Sequence, residues 1–249
     1  QSPTMASVRE VYNALKDIAN KDERGFVTPT EFNSFAPIAQ ANIFNQLFSQ
    51  ISGAENLRRR GVDPGRDKSL IKQIKEDLSV FSKSETLNRN NTTRDFGKPD
   101  DFAKLIQLST YGDILMDVTT SSVIPLEFDE EKFRYIIAST LSKPTDANPV
   151  AFMDDRIYVE PKSVRKIQIR YYKQPEGLSA TDGSRTASMP KFGFTTSNNK
   201  ETYQASTSVD FELPEHYVPQ LIEEMARLIG VNLRDANIYS YGTKQGQAQ

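Results

Sequence analysis

The sequence predicts an α+β protein: a helical body drawn from both ends of the chain, a part rich in antiparallel β-hairpins between them, and long polar arms. Three patterns carry this reading. Near both ends, apolar residues recur at three- and four-residue spacing, the period of a helix with one buried face. Around 156–173 they alternate with polar residues, the period of a half-buried strand. Two long stretches, 82–101 and 176–208, are polar and short of apolar anchors. The expected division is an N-terminal helical part over 1–80, a β-rich part with extended loops over 81–209, and a C-terminal helix and tail over 210–249 that packs back on the first part.

The first helix is predicted over 6–19, where Val8, Val11, Tyr12, Leu15 and Ile18 form a single stripe. A polar turn with Gly25 follows. The second helix begins at Thr28-Pro29-Thr30-Glu31, with Thr28 as N-cap, Pro29 in the first turn and Glu31 reaching back to close a capping box. Its stripe runs Phe32, Phe35, Ile38, Ala39, Ala41, Phe44, Leu47, Phe48 and Ile51, with Pro37 expected to kink or break it. The two helices are expected to pair as an antiparallel hairpin. A charged loop over 53–68 should lead to a helix over 68–79, with Leu70, Ile71, Ile74 and Leu78 inward. The stretch 82–101 is expected to be a mobile loop or an extended arm. Asp101 is placed to cap a short element.

Further on, Ile114 to Ile124 has strand character, and Asp129 to Thr140 fits a helix through Phe133, Ile136 and Ile137 or else a strand. Arg156–Val159 and Lys166–Lys173 are expected to pair as a hairpin across Glu160-Pro161-Lys162-Ser163. The stretch 176–208, with Phe192 and Phe194 as lone anchors, is expected to form a second arm. The last helix carries Val218, Leu221, Ile222, Met225, Leu228 and Ile229. Gly230 is too early for its end if Val231 and Leu233 continue the stripe.

Composition narrows the function. The chain has 249 residues, enough for one large domain or two small ones. Its net charge of −2 supplies no global field for nucleic acid, so any such contact must be a local patch. With no cysteine there is no disulfide, thiolate metal site or cysteine nucleophile. No apolar run reaches the roughly 18 residues of a membrane span, and no membrane association is expected. The first residues lack the pattern of a signal peptide. Met5 is either the native start behind a short remnant or part of a processed chain.

Several motifs invite a chemical reading. Asn20 to Glu31 has the layout of a calcium-binding EF-hand loop, with Gly25 at position 6 and Glu31 at 12. Arg24, however, puts a cation where an oxygen ligand belongs, and Glu31 is equally explained as the capping partner of Thr28. His216, the sole histidine, lies at a helix start with no nucleophile elbow elsewhere in the chain. The acids Asp129-Glu130-Glu131 and Glu223-Glu224 are expected on solvated helix faces or in subunit ion pairs. No phosphate-binding glycine loop is present. The chain is therefore expected not to be an enzyme and to need no cofactor or metal. Its one concentrated basic stretch is Arg58, Arg59, Arg60, Arg66, Lys68, Lys72 and Lys75, seven cations against Asp63 and Asp67. These residues are expected to meet either an acidic partner subunit or passing DNA phosphates, without sequence preference.

Taken in order, several segments resemble a known family. They are Val8-Arg9-Glu10-Val11-Tyr12, Asn20 through Asn33, Lys98-Pro99-Asp100-Asp101-Phe102, Ile157-Tyr158-Val159-Glu160-Pro161, Val164 through Pro175, Phe211-Glu212-Leu213, and Leu228 through Asp235. Their order and spacing are similar to those of the neck or tail ring proteins of crass-like and related tailed bacteriophages. The resemblance covers most of the chain apart from the two polar stretches. It departs in lacking a tryptophan after the hairpin. The resemblance implies a non-enzymatic virion subunit at the head–tail junction or upper tail, assembled in the host bacterial cytoplasm. It implies a homo-oligomeric ring, dodecameric if it matches the portal, stacked on the portal and on neighbouring ring or tail proteins around a DNA channel. The alternatives are another virion role, as a tail fibre adaptor or capsid auxiliary protein, or a calcium-binding module on residues 20–31.

Overall fold

The computed structural model describes residues 4–21, 27–59, 66–111, 123–197 and 200–230. The helices are α1 (Val8–Lys21), α2 (Pro29–Arg59), α3 (Arg66–Asp77), α4 (Glu130–Ala138) and α5 (Val218–Ile229). The strands up to residue 174 are β1 (Ser82–Asn88), β2 (Phe102–Thr110), β3 (Leu126–Glu127), β4 (Val150–Met153), β5 (Ile157–Glu160) and β6 (Lys166–Lys173). After it come β7 (Gly177–Ser179), β8 (Arg185–Thr186), β9 (Phe194–Ser197), β10 (Lys200–Tyr203) and β11 (Val209–Phe211). The fold is α+β. The chain forms two units, one of residues 1–80 with 175–249 and one of residues 81–174.

In the first unit, α5 packs against α1 and α2. Leu221, Met225, Phe44 and Leu15 are all buried at the helical spacing that the sequence displays. The capping box forms as expected. Glu31 N–H donates to Thr28 Oγ1 at 3.2 Å and Thr28 N–H donates to Glu31 Oε2 at 3.0 Å. The bonds that the Thr28 N–H and then its hydroxyl donate to the Glu31 carboxylate hold that group below its ordinary pKa. The buried side of α2 is Phe32, Ala36, Ala39, Gln40, Ile43, Phe44, Leu47 and Ile51, while Ile38, expected in the stripe, is exposed. Pro37 does not break this helix, which runs on to Arg59. The expected loop over 53–68 is therefore helical through its first half, because α2 continues beyond its last strongly apolar turn. Gly230 ends α5 in the left-handed region at φ 81°, where glycine is least strained. Val231 and Leu233 lie outside the described residues.

The expected second arm, 176–208, is a correction. It forms β7 to β10 inside the first unit, with β7 between β11 and β8, and β9 paired to β10. Phe192 is its anchor. Its ring meets Tyr12 at 4.2 Å and Tyr203 at 5.2 Å between centroids, and Tyr12 meets Phe32 edge-on at 5.3 Å. Asn33 on α2 clamps the Phe192 backbone through both of its amide atoms, at 2.7 and 3.1 Å. Gln40 does the same for two other segments. It donates to Glu176 O at 2.6 Å and accepts from Glu212 N–H at 2.7 Å. At Gly177 a β-carbon would lie 2.7 Å from Ser188 O, so the crossing of these strands needs glycine.

The N-terminal segment closes this unit. Ala6 N–H donates to Leu213 O, Phe211 N–H to Ala6 O, and Glu215 N–H to Thr4 O. Asp210 Oδ1 accepts from Val8 N–H at 2.7 Å, capping α1 from 202 residues away in the chain. Burial raises the pKa of Asp210 against the effect of this bond.

In the second unit, β1-β6-β2 form an antiparallel sheet, and β3-β4-β5 form a mixed one. Their apolar residues share one core of Phe96, Leu108, Ile124, Ala151, Ile157, Val159, Ile167, Ile169 and Tyr171. The predicted strands β5 and β6 exist, but they do not pair with each other. β5 pairs with β4, and β6 is a central strand flanked by β1 and β2. Alternation fixes which face of a strand is buried but not which strand lies beside it.

The first expected arm, 82–101, is likewise a correction, since its first seven residues are β1. Phe96 anchors the rest through two backbone bonds with Ile157, at 2.9 and 3.0 Å. Arg89 holds the turn by donating to Val164 O, Arg94 O and Val159 O. The helical option holds for 129–140, where Asp129 accepts from Glu131 N–H at 2.9 Å as N-cap of α4. The expected strand over Ile114 to Ile124 falls almost wholly outside the described residues.

Candidate functional site

The basic stretch lies on two helices. Arg58 and Arg59 end α2, and Arg66 and Lys68 fall in the first turn of α3. Arg60 lies outside the described residues. The helical register brings Lys72 and Lys75 to one side of α3, away from the buried Ile71 and Ile74. Lys72 is offset by Glu76 at 3.6 Å, with both side chains well exposed. The end of α3 is tied to the start of α5 by Asp77. Its Oδ2 accepts from Tyr217 OH at 2.7 Å and lies 3.1 Å from His216 Nε2. The single histidine thus sits in an interhelical contact.

Each acidic cluster has one member in a local ion pair. Glu130 pairs with Arg134 at 2.6 Å, and Glu224 is held below its ordinary pKa chiefly by Arg227, with Asn42 adding a bond. Among the described residues no group of three acids or histidines is placed to hold a metal. The calcium layout over 20–31 includes residues 22–26, which lie outside the described residues.

Asp101 does not cap a helix. Its carboxylate accepts from Tyr171 OH at 2.7 Å and from Lys83 Nζ at 2.9 Å, joining β1, β6 and the start of β2. Burial opposes its ionisation, but the bonds from Lys83 and Tyr171 and the Lys83 charge together outweigh this and lower its pKa. A lowered folded pKa means the contribution is whole above the ordinary value of 3.8 and is lost as the pH falls through the folded value. Asp101→Asn is therefore expected to cost about 1–2 kcal/mol at pH 7. That difference should shrink in urea titrations carried below pH 4. A difference that stays constant down to acid would show that the charge plays no part.

The feature that sequence reasoning missed is an apolar groove in the second unit, of 540 Å³, walled by Phe102, Leu105, Ile106, Val123, Leu126 and Phe128. Two β-bulges in β2, between Phe102 and Lys104 and between Leu105 and Gln107, shape one wall. The bulge carries Ile106 out of the sheet's inward row and leaves it exposed. Phe128 is 88% exposed and Val123 61%. Beyond α4, Leu141 projects at 98% exposure, outside the groove. The signal in the sequence was the run Val123-Ile124-Pro125-Leu126-Glu127-Phe128, too apolar for a solvated loop.

No family model matches this chain, and no curated protein does. No helix among the described residues is long and apolar enough to cross a membrane.

Proposed function

We propose that the chain is a structural subunit of a tailed-phage virion, one copy of a homo-oligomeric ring at the head–tail connector or upper tail. The observation that carries this reading is the pairing of an open apolar groove with a separate apolar projection, Leu141, on the same unit. Leaving Phe128 and Leu141 in water forgoes about 1.5–3 kcal/mol for each side chain that a partner could bury. A groove and a projection at different places make a heterologous contact, which repeats head to tail and closes into a ring when the rotation permits. The occupant of the groove is thus a neighbouring copy. The resemblance of the ordered segments to phage ring proteins supports the same reading and supplies the expected dodecamer, the portal and the adjoining ring or tail proteins as partners. The basic side of α3 is then a contact for an acidic neighbour or for DNA.

The test uses two variants, Phe128→Asp and Leu141→Asp. Sedimentation velocity and negative-stain images of the wild-type chain should show rings of about a dozen copies, the number a portal-matched cyclic ring would have. Each variant alone should be monomeric. Mixed together they should give dimers and nothing larger, because the mixture keeps only one intact groove-and-projection pair. A wild-type chain that stays monomeric, with no ring in particles, would overturn the proposal.

A further inference from the structure

We infer that the outward face of the β1-β6-β2 sheet is a binding surface for the phosphate backbone of duplex DNA. This goes beyond the ring reading by assigning a face to the polyanion. It rests on that reading only for the DNA being a phage genome.

The argument starts from register. Ile167, Ile169 and Tyr171 point into the core, so Lys166, Gln168, Arg170 and Tyr172 point out. On β1, Ser84 lies opposite Arg170, Thr86 opposite Gln168 and Asn88 opposite Lys166, and all three are exposed. On β2, Lys104 lies opposite Tyr172 and Gln107 opposite Arg170, and both are exposed. Simple alternation would put residues 104 and 107 on opposite faces. The bulge between Leu105 and Gln107 brings both to the outward face, so the defect in the strand completes the patch.

The charge of this face is one-sided. The three strands carry a single carboxylate, Glu85, and it lies on the inward side within 3.3 Å of Tyr171 OH. The outward face therefore has Lys104, Lys166 and Arg170 and no acid from its own strands. An ordinary solvated face mixes both signs. The cations are spread rather than clustered, since Lys166 and Arg170 are about 13 Å apart along one strand at 3.3 Å per residue. Around them stand Ser84, Thr86, Asn88, Gln107 and Gln168, side chains that donate to phosphate oxygens. Tyr111 stacks under Lys166 Nζ at 5.6 Å and holds it at the edge of the patch.

Chemistry favours DNA over an acidic protein. A protein interface of useful affinity has an apolar centre inside a polar rim. This face has no apolar centre, and the apolar surface of the unit lies instead at the groove. The side of α3 that bears Lys72 is the weaker candidate, because Glu76 offsets Lys72 there.

The experiment measures anisotropy of a fluorescein-labelled 30-base-pair duplex with the full chain, between 50 and 200 mM NaCl. Ring formation is followed separately by sedimentation, so that failure to assemble and failure to bind are distinct results. The wild type is expected to bind with an affinity that falls linearly on a log–log salt plot. The combined variant Lys104→Ser, Lys166→Ser, Arg170→Ser should bind at least tenfold more weakly at 50 mM, with a slope smaller by about 2–3. All three side chains are exposed and their contacts are weak, so its melting temperature should move little. As a second variant, Thr86→Glu places one carboxylate in the patch and should weaken binding in the same direction. Three results would overturn the inference. One is a wild type that ignores the duplex at 50 mM. Another is a combined variant with an unchanged slope, which would move the contact to α3. The third is a wild type that binds polyglutamate as tightly as the duplex, which would make the partner an acidic protein.

Discussion

Replacing Phe32 with alanine is expected to destabilise the first unit by about 3–5 kcal/mol, the usual cost of emptying a buried aromatic site. Phe32 is fully buried and meets Tyr12 edge-on at 5.3 Å and Phe192 at 6.4 Å. The cavity cannot collapse easily. Its walls come from α1, from α2 and from the segment around Phe192, which Asn33 fixes one position away from the lost ring. Hydrogen exchange reads the effect unit by unit. Amides of α1, α5 and the first turns of α2 should lose protection, while those of β6 keep theirs. A loss below 1 kcal/mol would mean that the aromatic cluster is not a keystone of this unit.

Phe96→Ala should have an effect of similar size, about 3–5 kcal/mol, on the second unit. Phe96 is fully buried in the core of that unit, and the Arg89 guanidinium lies 4.9 Å from its ring centroid. Its backbone also forms both bonds of the bridge to Ile157. Without the ring, the polar run from Arg89 to Asp101 has no large apolar side chain holding it to the core. Limited proteolysis should then cut between residues 89 and 101 before it cuts elsewhere in the unit. Intact resistance there, with stability unchanged in urea, would contradict this account of how the segment is ordered.

These two residues also mark what the sequence made legible. The stripe of α5 and the capping box of α2 could be read directly, because both are local patterns whose period or spacing is the physics itself. Phe96 was visible as a residue but not as an anchor, and Phe192 was visible as an anchor but without its partners. Each is one apolar side chain in a long polar run, and what orders the run is a distant partner: Ile157 in one case, Asn33 and Tyr12 in the other. β1, with the sequence Ser-Lys-Ser-Glu-Thr-Leu-Asn, has little strand signal of its own. It is a strand because β6 offers it an edge, which is tertiary context overriding propensity. The groove was hidden for a related reason. A β-bulge leaves no mark in a pattern of period two, so the exposure of Ile106 and the shared face of Lys104 and Gln107 emerge only from the register. Of the seven cations singled out, the helical register unites Lys72 and Lys75.

The hydrogen bonds between residues 4–8 and 210–215 have a further consequence, for the order in which the protein takes shape. Residues 81–174 are contiguous and leave the ribosome before any of the segment that seals the other unit. Their sheets are complete once Lys173 has emerged, because β6, the central strand, is also the last. The first helix meanwhile waits. Its N-terminal cap, Asp210, lies 202 residues beyond Val8, and the backbone partners of Ala6 are similarly remote. Contacts so remote in the chain form late because the intervening loop must first be closed. The body that begins the chain is thus the last to finish, and until then the apolar stripe of α1 has no lasting cover. A chain built this way cannot complete its helical body until residues 210–215 have been made.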